Sequence, residues 1–260
     1  MDQSAMILPK RDHRAASVFE PANLLREARR QKGLPDVAVP AICVLDPDGD
    51  LVRALEQSGE AQRHPGWACY HTTMTLMRAA GVEVGVVPLA VGAPFAVLVA
   101  EQLFASGCQL LISITSAGQI LPAGRPPYFV VIDRALRDEG TSGHYLPPAE
   151  TVEAEPELTA AATAVLAQAG INAHMGMAWT TDAPFRETEV AIAAAREVGV
   201  LAVEMEAAGL YAFARARGRR VLCLAHVTNT MAQDEGDFEK GEAMGAMATR
   251  AVVTALTMLL

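Results

Sequence analysis

Aromatic side chains are scarce in this 260-residue chain, at 5% of the total, although 51% of its residues are hydrophobic. Its core must therefore be built mostly from Ala, Val, Leu, Ile and Met, and a chain of this length buries a large one as one domain or at most two. Lysine- and arginine-rich runs are missing too, and 21 Lys and Arg against 30 Asp and Glu leave a formal charge of -9. That balance repels phosphate backbones, so neither a nucleic acid nor an anionic membrane is an expected partner. The cysteines Cys43, Cys69, Cys108 and Cys223 form no CxxC pair and no dense framework, which predicts reduced thiols in a reducing compartment. No apolar run is long enough for a membrane helix. The uncharged stretch over residues 84–100 is interrupted by Gly85, Pro88, Gly92 and Pro94 and falls short of the roughly 20 residues required. Charges at Asp2, Lys10, Arg11, Asp12 and Arg14 argue against a signal peptide, so a cytoplasmic location is expected. The histidines show no HExxH spacing, and a glycine-rich dinucleotide fingerprint and GxSxG are both absent. No metal is implied.

What is present is an alternation of short β-rich runs with alanine-rich helical ones. Residues 39–45, 82–91, 109–115, 128–136, 173–181, 198–205 and 219–229 read as strands, and their continuous apolar character suits burial on both faces. Helices are predicted over residues 94–106, 156–169, 187–198 and 206–217, closed by Gly107, Gly170, Gly199 and Gly218, and over 237–258. With no internal repeat or linker, the pattern predicts a single α/β domain over residues 39–260, with a central mostly mixed sheet flanked by helices. Residues 1–38 read as an N-terminal extension with a helix near 20–30.

Two carboxylates flank one methionine in Val203-Glu204-Met205-Glu206-Ala207-Ala208. Alone, the segment also reads as a pair of first-turn acids favoured by a helix dipole. It resembles, however, the signature of the nucleoside phosphorylase superfamily, which includes uridine phosphorylases, purine nucleoside phosphorylases and several nucleosidases. Three further segments agree in order and approximate spacing: Val91-Gly92-Ala93-Pro94, Thr115-Ser116-Ala117-Gly118-Gln119-Ile120, and Gly140-Thr141-Ser142-Gly143-His144-Tyr145-Leu146-Pro147. The likeness runs from about residue 39 to the C-terminus.

The resemblance implies a sheet partly closed into a barrel and a site that grips ribose. Met205 and Glu206 would lie beneath the sugar, Glu206 accepting hydrogen bonds from its hydroxyls, with Glu204 and His144 nearby. Cleaving an N-glycosidic bond develops positive charge on the ribosyl group, so a carboxylate there orients the sugar and stabilises that charge. A thioether shapes itself to the sugar face without competing for its hydroxyls. Phe185 would stack on the base, Arg186 would donate to a carbonyl oxygen as the base leaves, and Asn229 would meet the base. Purine enzymes of the family often carry a serine-aspartate pair where this chain has Thr228-Asn229. An amide cannot act as general acid near neutral pH, which favours a pyrimidine-like base.

For phosphate, uridine phosphorylases use a glycine-aspartate-proline turn and several arginines. This chain has Leu45-Asp46-Pro47-Asp48-Gly49, and Ile112-Ser113 where an arginine is expected. Gly92, Thr115 and Ser116, with the amides of residues 116–118, are the remaining candidates for an anion-binding nest. Arg53, Arg63, Arg78, Arg125 and Arg137 are candidate replacements for the missing cations. The expected activity is that of a nucleoside phosphorylase, a pentosyltransferase of nucleotide salvage with inorganic phosphate as co-substrate and no other cofactor. Two alternatives stay open: a nucleosidase using water, with Glu204 or Asp182 as base, and a nucleoside-binding protein without turnover. The family's habit of sharing sites between subunits implies a homo-oligomer: a dimer, trimer or hexamer.

Overall fold

The computed structural model describes residues 12–229 and 242–260. Its strands are β1 (Ile42–Asp46), β2 (Gln62–Arg63), β3 (Thr75–Ala79), β4 (Val82–Pro88), β5 (Leu110–Gln119), β6 (Tyr128–Asp138), β7 (Thr151–Glu153), β8 (Ala173–Thr181), β9 (Val200–Glu204) and β10 (Arg220–Asn229). The α-helices are α1 (Pro21–Lys32), α2 (Asp50–Gln57), α3 (Ala93–Ala105), α4 (Ser142–Tyr145), α5 (Pro156–Gln168), α6 (Glu189–Glu197), α7 (Ala207–Arg217) and α8 (Glu242–Leu256).

The sheet is mixed and closes on itself. Strands run in the order β10, β6, β8, β9, β5, and β5 pairs back with β10, giving a five-stranded barrel from which β1, β4, β3 and β2 extend. β5 joins the two parts: its first half lies parallel to β1 and β10, while Gly118 and Gln119 pair antiparallel with Val203 and Ala202 of β9. Register shifts between Ile132 and Arg134, between Met177 and Ala178, and between Val227 and Asn229 supply the local bends that closure requires.

Apolar side chains leave both faces of the sheet, as the unbroken hydrophobic strands predict. One cluster gathers α3 and α7 residues such as Val97, Leu103, Leu210 and Phe213, and another gathers Leu51 and Leu55 of α2, Leu158 of α5 and Val252 of α8. Every residue of α7 from Ala207 to Ala214 is buried, so this helix lacks the polar face of a surface helix. Tyr211 carries the one long polar group on that stretch. Its hydroxyl donates to Ile132 O at 2.6 Å and accepts from Cys223 N at 3.0 Å, which ties α7 to β6 and β10. Gly209 lets α7 meet α3 closely, since a Cβ there would stand 2.8 Å from Ala93 Cβ.

Several boundaries differ from the sequence pattern for identifiable reasons. The run 82–91 stops at Pro88, because Leu89 turns into the left-handed region at φ 62°. The run 109–115 continues to Gln119, held by β10 and then β9. The run 219–229 forms β10, which spans Arg220–Asn229. Helices α2 and α4 and strands β2, β3 and β7 were not legible; α2 and α4 are too short to show a helical period, at 8 and 4 residues. The start of the helix predicted over 237–258 lies outside the described residues. Helix α1 lies against α3, with Leu25 and Ala28 buried on Ala68, while Lys32 Nζ donates to Ala68 O at 3.1 Å and Cys69 O at 2.7 Å. All four cysteines are buried and free. No helix among the described residues is long and apolar enough to cross a membrane.

Candidate active site

Strand β9 carries Glu204 to its end, and the chain turns through Met205 and Glu206 into α7. The two glutamates divide their tasks. Glu204 Oε2 accepts from the backbone N–H of Glu206 at 2.7 Å and of Ala207 at 2.8 Å, and Oε1 accepts from the Thr180 hydroxyl. Thr180 in turn accepts from Ala208 N at 2.9 Å. Glu204 is thus a helix cap: a carboxylate held on the first free amides of α7, where both hydrogen bonding and the helix dipole favour it. No oxygen of Glu204 is left without a partner for a sugar.

Glu206 is arranged differently. It is 1% exposed, its Oε1 accepts from Gly92 N at 2.7 Å, and its Oε2 has no hydrogen-bond partner among the described residues. Gly92 adopts φ 83° and ψ 147°, a conformation essentially confined to glycine, and this aims its N–H at the carboxylate. The Thr115 hydroxyl lies nearby, but its own hydrogen bond goes to Ser116 O at 3.3 Å. Met205, half-buried, sits between the two glutamates.

Burial raises both acids. Glu206 is pushed up to about 8 by desolvation and then by the charge of Glu204, against the pull of the Gly92 N–H and Thr115. Glu204 is pushed up to about 6 by desolvation, with the Thr180 hydroxyl and the two amides opposing it. An orphaned, fully buried carboxylate oxygen is costly unless a ligand satisfies it.

The third carboxylate of the site was not singled out from sequence. Asp48, in the turn after β1, accepts from Ser116 N through Oδ2 at 2.8 Å and from the Ser116 hydroxyl through Oδ1 at 2.8 Å. Asp46, Asp48, Asp50, Thr115, Ser116 and His226 help line a cavity of about 10 Å³, roughly the space of one water molecule. Asp46 is pushed up to about 6, chiefly by burial, while Val52 N–H pulls the other way. The signal available in the sequence was an acid-rich turn where the family resemblance calls for an arginine.

The other expected residues are spread more widely. Phe185 is 99% exposed, and Arg186 is exposed beside it in the 3-10 turn Pro184–Arg186 after β8. Asn229 ends β10, and its side chain lies outside the described residues. His144 is exposed on α4 and faces a separate cleft of about 830 Å³ between α3, the N-terminal segment and residues 140–145; neither Met205 nor Glu206 lines it. Among the candidate arginines, Arg53 pairs with Asp50. Arg137 instead braces the loop, donating to Ser142 Oγ at 2.8 Å and Pro147 O at 2.7 Å. Arg63, Arg78 and Arg125 are exposed. Asp182, a candidate base, is exposed and accepts from Gly140 N at 2.9 Å. Among the described residues no group of three or more His, Cys, Asp or Glu side chains is placed to hold a metal ion.

The family model described as Phosphorylase superfamily matches residues 25–260. The chain belongs to the phosphorylase superfamily. Within the superfamily it is 27% identical over 177 residues to a uridine phosphorylase of Thermococcus kodakarensis, covering 63% of this chain and 64% of that protein. It is 28% identical over 171 residues to a guanosine phosphorylase of Halorubrum lacusprofundi, covering 64% and 66% respectively. The matches therefore span just under two thirds of the length of these relatives. Two solved structures share the phosphorylase superfamily fold seen here. Uridine phosphorylase from Vibrio fischeri, complexed with 6-hydroxy-1-naphthoic acid, superposes with a TM-score of 0.70 at 19% identity, covering 88% of this chain and 93% of that one. A mutant of the Helicobacter pylori MTAN, with 5'-methylthioadenosine in its active site, gives 0.68 at 17% identity, covering 85% and 99%.

Proposed function

We propose that this chain is an enzyme that cleaves the N-glycosidic bond of a small-molecule nucleoside, with Glu206 as the residue that grips the ribose. The observation that carries this reading is the Oε2, unpartnered among the described residues, of a carboxylate that is 1% exposed and anchored on Gly92. Ribose hydroxyls supply the donors this oxygen lacks, and their hydrogen bonds favour its ionised form. As the bond between the anomeric carbon and the base nitrogen breaks, its electron pair leaves with the base, and the Glu206 charge stabilises the ribosyl cation left behind. Met205 packs the sugar face.

Water is the acceptor in the reading we favour. Its oxygen bonds to the anomeric carbon, one of its protons is given up to a basic group or to solvent, and the base takes up a proton, giving free base and ribose. Supporting this, the Gly92 and Ser116 donors expected to hold phosphate already serve Glu206 and Asp48. Phosphorolysis is the second reading, favoured by the names of the two curated relatives. In either case Phe185, Arg186 and Asn229 are proposed to meet the base, pyrimidine-like because the Asn229 amide cannot act as a general acid. A homo-oligomer and a cytoplasmic location belong to the same proposal.

Base release from uridine, thymidine, cytidine, inosine, adenosine and guanosine, with and without inorganic phosphate, tests it. Release from at least one nucleoside supports glycosidic cleavage. Binding of nucleosides with no release under either condition points to a binding protein and retires the enzymatic reading.

A further inference from the structure

Asp48 and Ser116 lie 68 residues apart in sequence, yet the carboxylate takes both donors of the serine. The sheet explains how they meet. β1 and β5 are parallel neighbours with Leu45 opposite Ser113, so the residues three beyond each partner leave the same end of the sheet. The turn that follows β1 is tight: Gly49 N donates to Asp46 O at 2.9 Å, and Gly49 takes φ 72°. It returns the chain at once and directs Asp48 across the end of β5. A two-point contact of this kind satisfies an anion's geometry on a backbone N–H and a hydroxyl.

We propose that Asp48 selects the acceptor of the reaction, acting as a tethered anion that keeps inorganic phosphate off Ser116. The inference rests on the reading of the site as one that opens a glycosidic bond. A phosphate dianion approaching Ser116 meets donors already engaged at 2.8 Å and a carboxylate of its own sign. Asp46, buried and with no cation hydrogen-bonded to it among the described residues, lines the same small cavity. Glu206 similarly holds the Gly92 N–H. Water, uncharged and far smaller, meets no such opposition.

The test is calorimetric titration of inorganic phosphate into wild type and Asp48→Ala, paired with base release and analysis of the sugar product. The expected wild type shows no saturable phosphate binding and forms free ribose at a rate independent of phosphate. Asp48→Ala frees both Ser116 donors and is expected to show saturable phosphate binding where wild type shows none, with part of the product becoming ribose 1-phosphate. Wild type that binds phosphate as tightly as the variant, or that forms ribose 1-phosphate itself, overturns the proposal. Should Asp48→Ala not fold, Asp48→Asn removes the charge while keeping the shape, and the wild-type titration decides alone: saturation by phosphate refutes the proposal and its absence supports it. Failure to release base from any nucleoside sinks the functional reading instead, and the phosphate titrations still judge Asp48.

Discussion

Glu206 Oε1 and the Gly92 N–H meet at 2.7 Å across 114 residues of sequence, and this contact fixes the first turn of α7 against the first turn of α3. It holds one carboxylate oxygen and leaves the other, Oε2, without a partner among the described residues. The protein therefore keeps an acceptor in its interior that the described chain alone does not satisfy.

That arrangement has a pH signature. Glu206 and Glu204 are raised above the ordinary carboxylate value of 4.5, to about 8 and about 6, mainly by burial. The folded state thus holds protons that the unfolded chain gives up near 4.5, so their contribution to stability is full below that pH and is lost as pH rises through the folded values. Glu206→Gln, which cannot ionise, is expected to flatten this loss and to be more stable than wild type at about pH 9, by on the order of 1 kcal/mol or more. Urea unfolding at about pH 5 and pH 9 measures it. A wild type as stable at the higher pH as at the lower contradicts the assignment.

Gly209 should tolerate no side chain without a compensating change. A Cβ there stands 2.8 Å from Ala93 Cβ, a contact that only a shift of α7 from α3 can relieve. Gly209→Ala is expected to cost about 1 to 3 kcal/mol, and Ala93→Gly in the same chain should recover part of that loss. A double-mutant cycle by denaturant unfolding reads the coupling. Additive single effects would show that the helices do not meet as described.

The helix cap gives a third expectation. Thr180→Val removes the hydroxyl that donates to Glu204 and accepts from Ala208 N, leaving buried polar groups unpaired at a cost of about 1 to 3 kcal/mol. Thermal or urea unfolding checks this. Since both oxygens of Glu204 are already engaged by Thr180 and by the amides of Glu206 and Ala207, the substitution is expected to act on stability more than on the binding of a nucleoside.

The sequence made the barrel strands legible because they are continuous apolar runs buried on both faces; 173–181 coincides with β8. It also marked Glu206, through the segment around it. What stayed hidden was the difference between Glu204 and Glu206, two residues apart: which one is engaged on backbone amides and which one keeps an oxygen without a donor among the described residues depends on where β9 ends and α7 begins. Asp48 was equally illegible. Its role comes from β1 lying beside β5, a pairing that brings together residues 68 apart in the chain. Phe185 and Arg186 stand exposed on a turn, and in the single chain their position depends on no packed neighbour that a hydrophobic pattern could have announced.

Glu206 Oε2 is proposed to hold the ribose of a nucleoside undergoing cleavage. The most direct measurement is kcat/KM for base release from the best nucleoside of the panel, by wild type and by Glu206→Gln. A fall of about 10²- to 10³-fold is expected in the variant, with the fold intact by circular dichroism. A folded variant that releases base at the wild-type rate would contradict it.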